Sequence, residues 1–361
     1  AAICLGGAGA VFWMWVAAFF GMMTNYAENV LGIFYRRKNS EGEWSGGAMY
    51  YLRDGLGAKK GFEWIGKILA VLFACFTLLA SFGIGNMGQV NKIVANVQSA
   101  FKFEALSSIV LYGEGDATVT LYSALIGAVV LVLVGLIVLG GVKRIAAVAE
   151  KIVPFMVILF VLGSLIIIGV NYNAIIPAFK AIFVNAFKPE AFVGGGIGGI
   201  IVAMTNGFKR GVFSNEAGLG SSVMVHSCSN VKEPVKQGMW GIFEVFVDTM
   251  IVCTLSAFTI LSSGVVDLET GAILVEGISS SALAGAAFET LFGKAGSMFI
   301  AIAIMLFAYS TTLGWSVYGT KAWEYLFGTK ATIIYKVIFV SIVFVGPMLH
   351  SSLAWDISDT F

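Results

Sequence analysis

The chain is poor in charge. Only 12% of its 361 residues are Asp, Glu, Lys or Arg, against about 25% in a soluble domain, and the formal net charge is +1. That balance offers no basic face for nucleic acid and no acidic tail for a cationic partner. Histidine is scarcer still. His226 and His350 are the only two, too few and too far from other ligand types for a transition-metal centre. The four cysteines (Cys4, Cys75, Cys228, Cys253) show no CxxC or paired spacing. This excludes the usual zinc motifs and favours thiols buried as small hydrophobes over a disulfide framework. Neither histidine belongs to a Ser or Cys nucleophile motif within the apolar runs, so the chain is not expected to be an enzyme or to carry catalytic residues or a cofactor. No feature marks an obligate protein partner.

What the chain has in quantity is apolar length: 58% of its residues are hydrophobic and its mean hydropathy is +0.90. A membrane-crossing helix needs roughly 20 apolar residues. Runs of that kind fall at 8–35, 62–98, 119–140, 143–171, 193–213, 236–262, 295–323 and 332–350, with ends uncertain by about 2–4 residues. The pattern predicts an all-α polytopic protein of the cell membrane, one transmembrane domain over residues 1–361, with the lipid bilayer as its solvent. The segments 36–60, 101–118 and 262–294 read as loops. Tyr172 to Pro189 spaces its apolar residues as a short amphipathic helix lying at the interface. The opening and closing residues read as those of a fragment of a longer protein.

Cytoplasmic loops collect Lys and Arg. If the first run crosses from outside to inside, only Lys92, Lys102, Lys180, Lys188 and Lys294 of the 22 Lys and Arg fall outside. The acids Glu104, Glu114, Asp116, Asp267, Glu269 and Glu276 then face outward, and the fifth run ends at the cytoplasm.

Polar residues inside apolar runs are costly and point to function. The stretch Asn206 to Ser221 (NGFKRGVFSNEAGLGS) concentrates Lys209, Arg210, Asn215, Glu216 and several glycines. Lipid cannot satisfy irregular backbone, so such a break belongs where protein or a watery cavity surrounds it. The preceding run GGGIGGIIVAMTNG lacks the Lys-Ser/Thr ending of a phosphate loop and suggests an unwound helix that binds an ion or a zwitterion. In the second run, Asn86, Gln89, Asn91 and Asn96 bring amides that need partners, while Gly83, Gly85 and Gly88 allow close helix approach. Ser310, Thr311 and Thr312 place three hydroxyls in the seventh run. They either bind a hard cation or bond back to the helix carbonyls, and Trp315 shares a face with Thr311. Glu244 and Asp248, four apart, share another face and either form a candidate proton or ion relay or pair with the basic residues of the Asn206 to Ser221 stretch or with backbone donors in the bundle interior. Glu28, beside Asn25 and Tyr26, is either a functional acid of the first run or an interfacial residue bonded to its neighbours. A channel would call for a repeated filter sequence, and none occurs in the chain.

RGVFSNEAGLGS (Arg210 to Ser221) resembles the signature of the alanine or glycine:cation symporter family. So do Gly6 to Glu28, GNMGQVN at Gly85 to Asn91, Gly140 to Met156, EPVKQG at Glu233 to Gly238, Glu244 to Ala257, and TTLGWSVYG followed by EYLFG. The resemblance implies a leucine-transporter-type inverted-repeat bundle, truncated, in which the present runs are core helices two to nine. The first core helix, which in the family carries a Gly-Thr-Gly-Asn type break, and the C-terminal end would be missing. It further implies sodium-coupled uptake of small amino acids by alternating access, with a proton route kept open by Glu244 and Asp248. Gln89, Met204, Asn206, Thr311 and Trp315 look like substrate positions, and Ser310, Thr311 and Thr312 like half of a sodium site. Arg210, Asn215 and Glu216 look like gate or fold elements.

Overall fold

The computed structural model describes residues 1–113, 118–188, 198–275 and 282–349. Helix dominates. Among the described residues, seven helical segments are long and apolar enough to cross a membrane: Gly9–Tyr35, Glu63–Ala100, Leu121–Val138, Gly141–Val170, Pro234–Ser262, Lys294–Phe327 and Thr329–Met348. They match seven of the eight expected runs. The eighth corresponds to the helix Gly198–Asn215, preceded by residues outside the described set. Lys209, Arg210 and three amide or hydroxyl side chains in its second half keep it from meeting the same criterion of apolarity. The glycines at 194–196 on which an unwound start was expected, together with Glu114, Asp116, Pro189, Glu276 and His350, lie outside the described residues.

Three loops contain more structure than their composition indicated. Arg37–Lys38 pairs antiparallel with Trp44–Ser45, and Val110–Tyr112 with Val119–Thr120. The Ser262 to Lys294 segment holds a helix, Ala282–Phe292, whose Ala- and Leu-rich stretch is masked in sequence by the glycines, serines and acids around it. The amphipathic segment forms the helix Ile175–Phe187. It buries Ala178, Ala181, Ile182, Asn185 and Ala186 on one face.

Two spans change pitch midway. Gly83–Met87 and Phe246–Cys253 are π-helical turns inside longer helices, a distortion that occurs mostly at functional sites. The chain divides into two compact units, Ala1–Val30 with Val157–Gly220 and Val235–Ile300, and Leu31–Met156 with Ser221–Pro234 and Ala301–Phe361. In the first unit, Ile3, Ala8, Val11, Ile182, Leu261 and Leu283 share a core. In the second, Val90, Ile93, Val134, Leu313, Tyr335 and Phe339 do so. Large apolar side chains also point outward, Phe19 and Phe20 at 65% exposure and Ile158 at 58%. A soluble surface would not carry such a set, whereas lipid accommodates it.

Candidate functional site

In the second unit the π-helical turn Gly83–Met87 sits against the long helix Lys294–Phe327. A Cβ on Gly85 would overlap the Cβ and ring of Trp315, so the absence of a side chain there is what lets the indole lie on the backbone. Trp315 also meets Tyr318 edge-on, ring centroids 5.2 Å apart. One turn after Gly85, Gln89 is 8% exposed and its Nε2 donates to the Ile84 carbonyl at 3.1 Å. The wider pitch of a π turn offsets the carbonyls from their usual donors, and the Gln89 amide takes one of them. Asn86 is fully buried, with Nδ2 donating to Phe339 O at 2.7 Å and Oδ1 lacking a hydrogen-bond partner among the described residues. Asn91 donates to the carbonyls of Gly346 and Leu349 at 3.4 and 3.2 Å. Two of the interior amides thus tie spans together, and Gln89 bonds within its own helix.

All three hydroxyls bond back to their own helix. Ser310 and Thr311 donate to Phe307 O at 2.9 Å each, and Thr312 to Ala308 O at 3.0 Å. A hydroxyl that donates keeps its oxygen lone pairs, so back-bonding and cation binding coexist. Successive helical residues turn about 100°, so the three point in different directions. Thr312 is wholly buried and Ser310 faces the Met156 sulfur at 3.9 Å, whereas Thr311 shares the face of Trp315.

In the first unit, Asn206 donates to Leu5 O at 3.2 Å and Val202 O at 2.9 Å. The Leu5 carbonyl belongs to the end of a short helix, Ala2–Gly6, which stops at Gly7 with φ +65°. Met204, two residues before Asn206, points about 200° away around the helix. The two expected substrate residues therefore occupy opposite sides of the helix Gly198–Asn215.

The signature folds as a helix end. Glu216 adopts φ +56°, uncommon outside glycine, and Gly218 and Gly220 follow in left-handed conformations. Asn215 accepts from Ala217 N at 3.0 Å and donates to Thr249 Oγ1 at 3.0 Å. Glu28 accepts from Gly218 N at 3.2 Å and also from the Gly220 backbone. Its partners are thus not its sequence neighbours Asn25 and Tyr26, because a carboxylate in this position meets the freed N–H groups of a turn that folds back from 190 residues away. The Arg210 Nε is buried without a hydrogen-bond partner among the described residues. Asp248 lies in the π-helical turn Phe246–Cys253 and accepts from Thr249 Oγ1 at 2.9 Å and from the Ser214 side chain. Hydroxyls rather than the basic residues of the signature supply these bonds.

One group had no sequence signal strong enough to single it out. Lys321 and Glu324 form an ion pair of 3.0 Å, with side chains only 2% and 6% exposed. Their i, i+3 spacing was readable, but burial is a tertiary property. Close by, Arg36 donates to the carbonyls of Ser227 and Ser229 at 3.0 and 2.6 Å and to that of Val231. Burial pushes the Cys228 thiol up, Lys321 opposing it.

Seven membrane-length helices among the described residues, two of them with π-helical turns in mid-span, define a polytopic membrane protein. Comparison with known proteins narrows the class. The model of the sodium:alanine symporter family matches residues 1–361, and the chain belongs to that family. It is 40% identical over 359 residues to the sodium/alanine symporter AgcS of Methanococcus maripaludis, covering 99% of this chain and 73% of that one. It is 35% identical to the amino-acid carrier protein AlsT of Bacillus subtilis, covering 100% and 69%. To a protein of the same organism named a probable sodium/glutamine symporter, GlnT, it is 33% identical, covering 100% and 68%. Cation-coupled amino-acid symport across the cell membrane is the activity that the family carries.

Proposed function

We propose that the chain is a sodium-coupled symporter that brings small neutral amino acids, alanine and glycine, into the cell by alternating access. The observation that carries the reading is Trp315 seated on Gly85 of the π-helical turn Gly83–Met87, with Gln89 one turn further along and bonded to Ile84 O of the same turn. A rigid indole fixed on bare backbone bounds a small space and disfavours larger side chains, although each methylene is worth only about 1–3 kcal/mol of discrimination. In this reading Gln89, Thr311 and Trp315 contact substrate, whereas Met204 and Asn206, on opposite sides of their own helix, do not both do so. Thr311, with Ser310 and Thr312, offers oxygen to the cation. Arg210, Asn215 and Glu216 shape the helix end that must move. Coupling is linkage: a cation that raises amino-acid affinity is itself bound more tightly by the amino acid, and its gradient then drives uptake.

The fold proposed for this mechanism is the leucine-transporter-type inverted repeat, with helices broken near the middle of the bilayer and one bundle rocking against another. The π turns at Gly83–Met87 and Phe246–Cys253 and the stop at Gly7 support it, because irregular backbone at depth is tolerated where it lines a cavity.

The test is uptake of labelled alanine into proteoliposomes under an inward sodium gradient, with glycine and glutamine as competitors. Sodium-stimulated uptake competed by glycine and weakly by glutamine is the expected result. Uptake indifferent to sodium, or competed best by glutamine, would overturn the reading. A second reading, coupling to protons, is favoured by Asp248 with its hydroxyl donors. Uptake driven by a pH gradient without sodium and abolished by Asp248→Asn would establish it.

A further inference from the structure

The second unit contains a polar cavity of about 160 Å³ that the transport reading does not use. Four separated segments line it: the Asn39–Glu43 turn of the first hairpin, the start of the helix Gly141–Val170, the end of the helix Lys294–Phe327, and Thr329 to Lys336. All four lie on the face that the Lys and Arg distribution assigns to the cytoplasm.

Three glutamates and three lysines contribute to the lining: Glu41, Glu43, Glu324, Lys143, Lys321 and Lys336. They are not equivalent. Lys321 is consumed by Glu324 at 3.0 Å, almost fully buried, and Glu43 lies close enough to act on it electrostatically. Lys143, Lys336 and Glu41 have no ion-pair partner among the described residues. The Lys336 Nζ lies 3.9 Å from where a Cβ on Gly141 would stand. Gly141 is the first residue of a 30-residue helix, whose opening N–H groups carry partial positive charge. The lining therefore combines an ammonium beside a helix start with the acidic residues Glu41 and Glu43 of the hairpin turn.

A lining of three positive and three negative groups is formally neutral. A simple anion would be drawn to Lys336 and repelled by the glutamates, and a simple cation would meet the reverse. A ligand that carries both an ammonium and an oxyanion can form charge-assisted bonds with both signs of charge in the lining. The volume is well below the ~300–1,000 Å³ of a site for drug-sized molecules, which restricts the ligand to a few heavy atoms. We infer that this cavity is a second binding site, for a small zwitterion, facing the cytoplasm. Two sources share that chemistry: a free amino acid on the release side of the membrane, and the phosphoethanolamine headgroup of a lipid.

The inference adds to the transport reading and is testable apart from it, because none of the three hydroxyls of the cation candidate lines the cavity. Binding here is independent of sodium. The experiment is equilibrium binding of labelled alanine to the purified full chain in nanodiscs, in choline chloride and then in sodium chloride. The sodium-independent component reports the cavity, and the sodium-stimulated increment reports the transport site. The double variant Lys143→Gln, Lys336→Gln is expected to weaken the sodium-independent component at least about tenfold, equivalent to ~1.4 kcal/mol. The sodium-stimulated increment stays as in the parent, which also shows that the variant is folded. Glu41→Gln repeats the test on an acidic residue of the lining.

Nanodiscs of phosphatidylethanolamine against phosphatidylcholine separate the sources. An unchanged component in both identifies a free amino acid, and its suppression by phosphatidylethanolamine, relieved in the double variant, identifies the headgroup. Absence of sodium-independent binding in phosphatidylcholine nanodiscs, or binding that both sets of variants leave intact, would overturn the proposal. Loss of the sodium increment alone would count against the transport reading and leave this site standing.

Discussion

The Glu28 carboxylate accepts the Gly218 N–H at 3.2 Å and a second bond from the Gly220 backbone, so an acid of the first span closes the turn of the family signature. The left-handed residues Glu216, Gly218 and Gly220 turn N–H groups away from any helical partner, and Glu28 supplies an acceptor. Removing it by Glu28→Ala orphans two donors at about 1–3 kcal/mol each. The thermal midpoint of the purified protein is expected to fall by several degrees, with Glu28→Gln falling less because an amide oxygen still accepts. A midpoint for Glu28→Ala equal to that of the parent would show that water takes over both bonds.

Gly85 and Trp315 give a prediction about shape. A methyl at position 85 would overlap the indole, and overpacking of this kind costs about 1–3 kcal/mol. Gly85→Ala is expected to lower both the thermal midpoint and the rate of alanine uptake. Trp315→Ala is expected to admit bulkier amino acids, and the double variant should regain only part of the midpoint lost by Gly85→Ala, because alanine at 315 relieves the overlap with the ring and keeps that with the Cβ. If Trp315→Ala leaves the range of competing amino acids unchanged, the tryptophan is packing and does not bound the substrate.

The spans were legible because lipid imposes a length and a composition that few other constraints imitate, and seven of the expected runs recur within about 2–4 residues. The polar candidates were legible for the same reason, since an amide or carboxylate in an apolar run stands out. Their partners were not. Glu28 beside Asn25 and Tyr26 gives no hint that its bonds go to Gly218, and nothing in EYLFG shows that Glu324 is buried against Lys321. The helix Ala282–Phe292 was hidden by flanking glycines and serines whose preference for turns outweighs a short Ala- and Leu-rich stretch. Pairing and burial depend on which distant segments meet, and periodicity within one segment does not encode that.

Thr311 tests the cation candidate with little structural disturbance. Its hydroxyl donates to Phe307 O, a carbonyl inside a continuous helix, so Thr311→Val keeps the shape and removes only the oxygen. The half-saturating sodium concentration for alanine uptake is expected to rise about tenfold, equivalent to ~1.4 kcal/mol, while the thermal midpoint stays near that of the parent. Ser341→Ala, which deletes an exposed back-bonded hydroxyl, serves as the control. Equal sodium dependence in Thr311→Val and Ser341→Ala would remove Thr311 from the cation's surroundings.

Lys321 and Glu324 bring a buried charge into a region that otherwise packs apolar and aromatic side chains. Such a pair contributes little net stability, but losing one partner strands the other at a cost of about 3–5 kcal/mol. Lys321→Met is therefore expected to destabilise the protein, because Glu324 at 6% exposure loses its ion-pair partner, with only the polar cavity it lines left to solvate it. Glu324→Gln should be milder, since an amide still accepts from the ammonium. The double variant Lys321→Met, Glu324→Leu, which removes both charges and keeps the volume, should return most of the midpoint lost by Lys321→Met. Thermal unfolding followed by size-exclusion chromatography reads all three. A double variant no more stable than Lys321→Met would mean that the pair is held for the Glu43 side of the cavity, whose carboxylate then loses its only buried cation among the described residues.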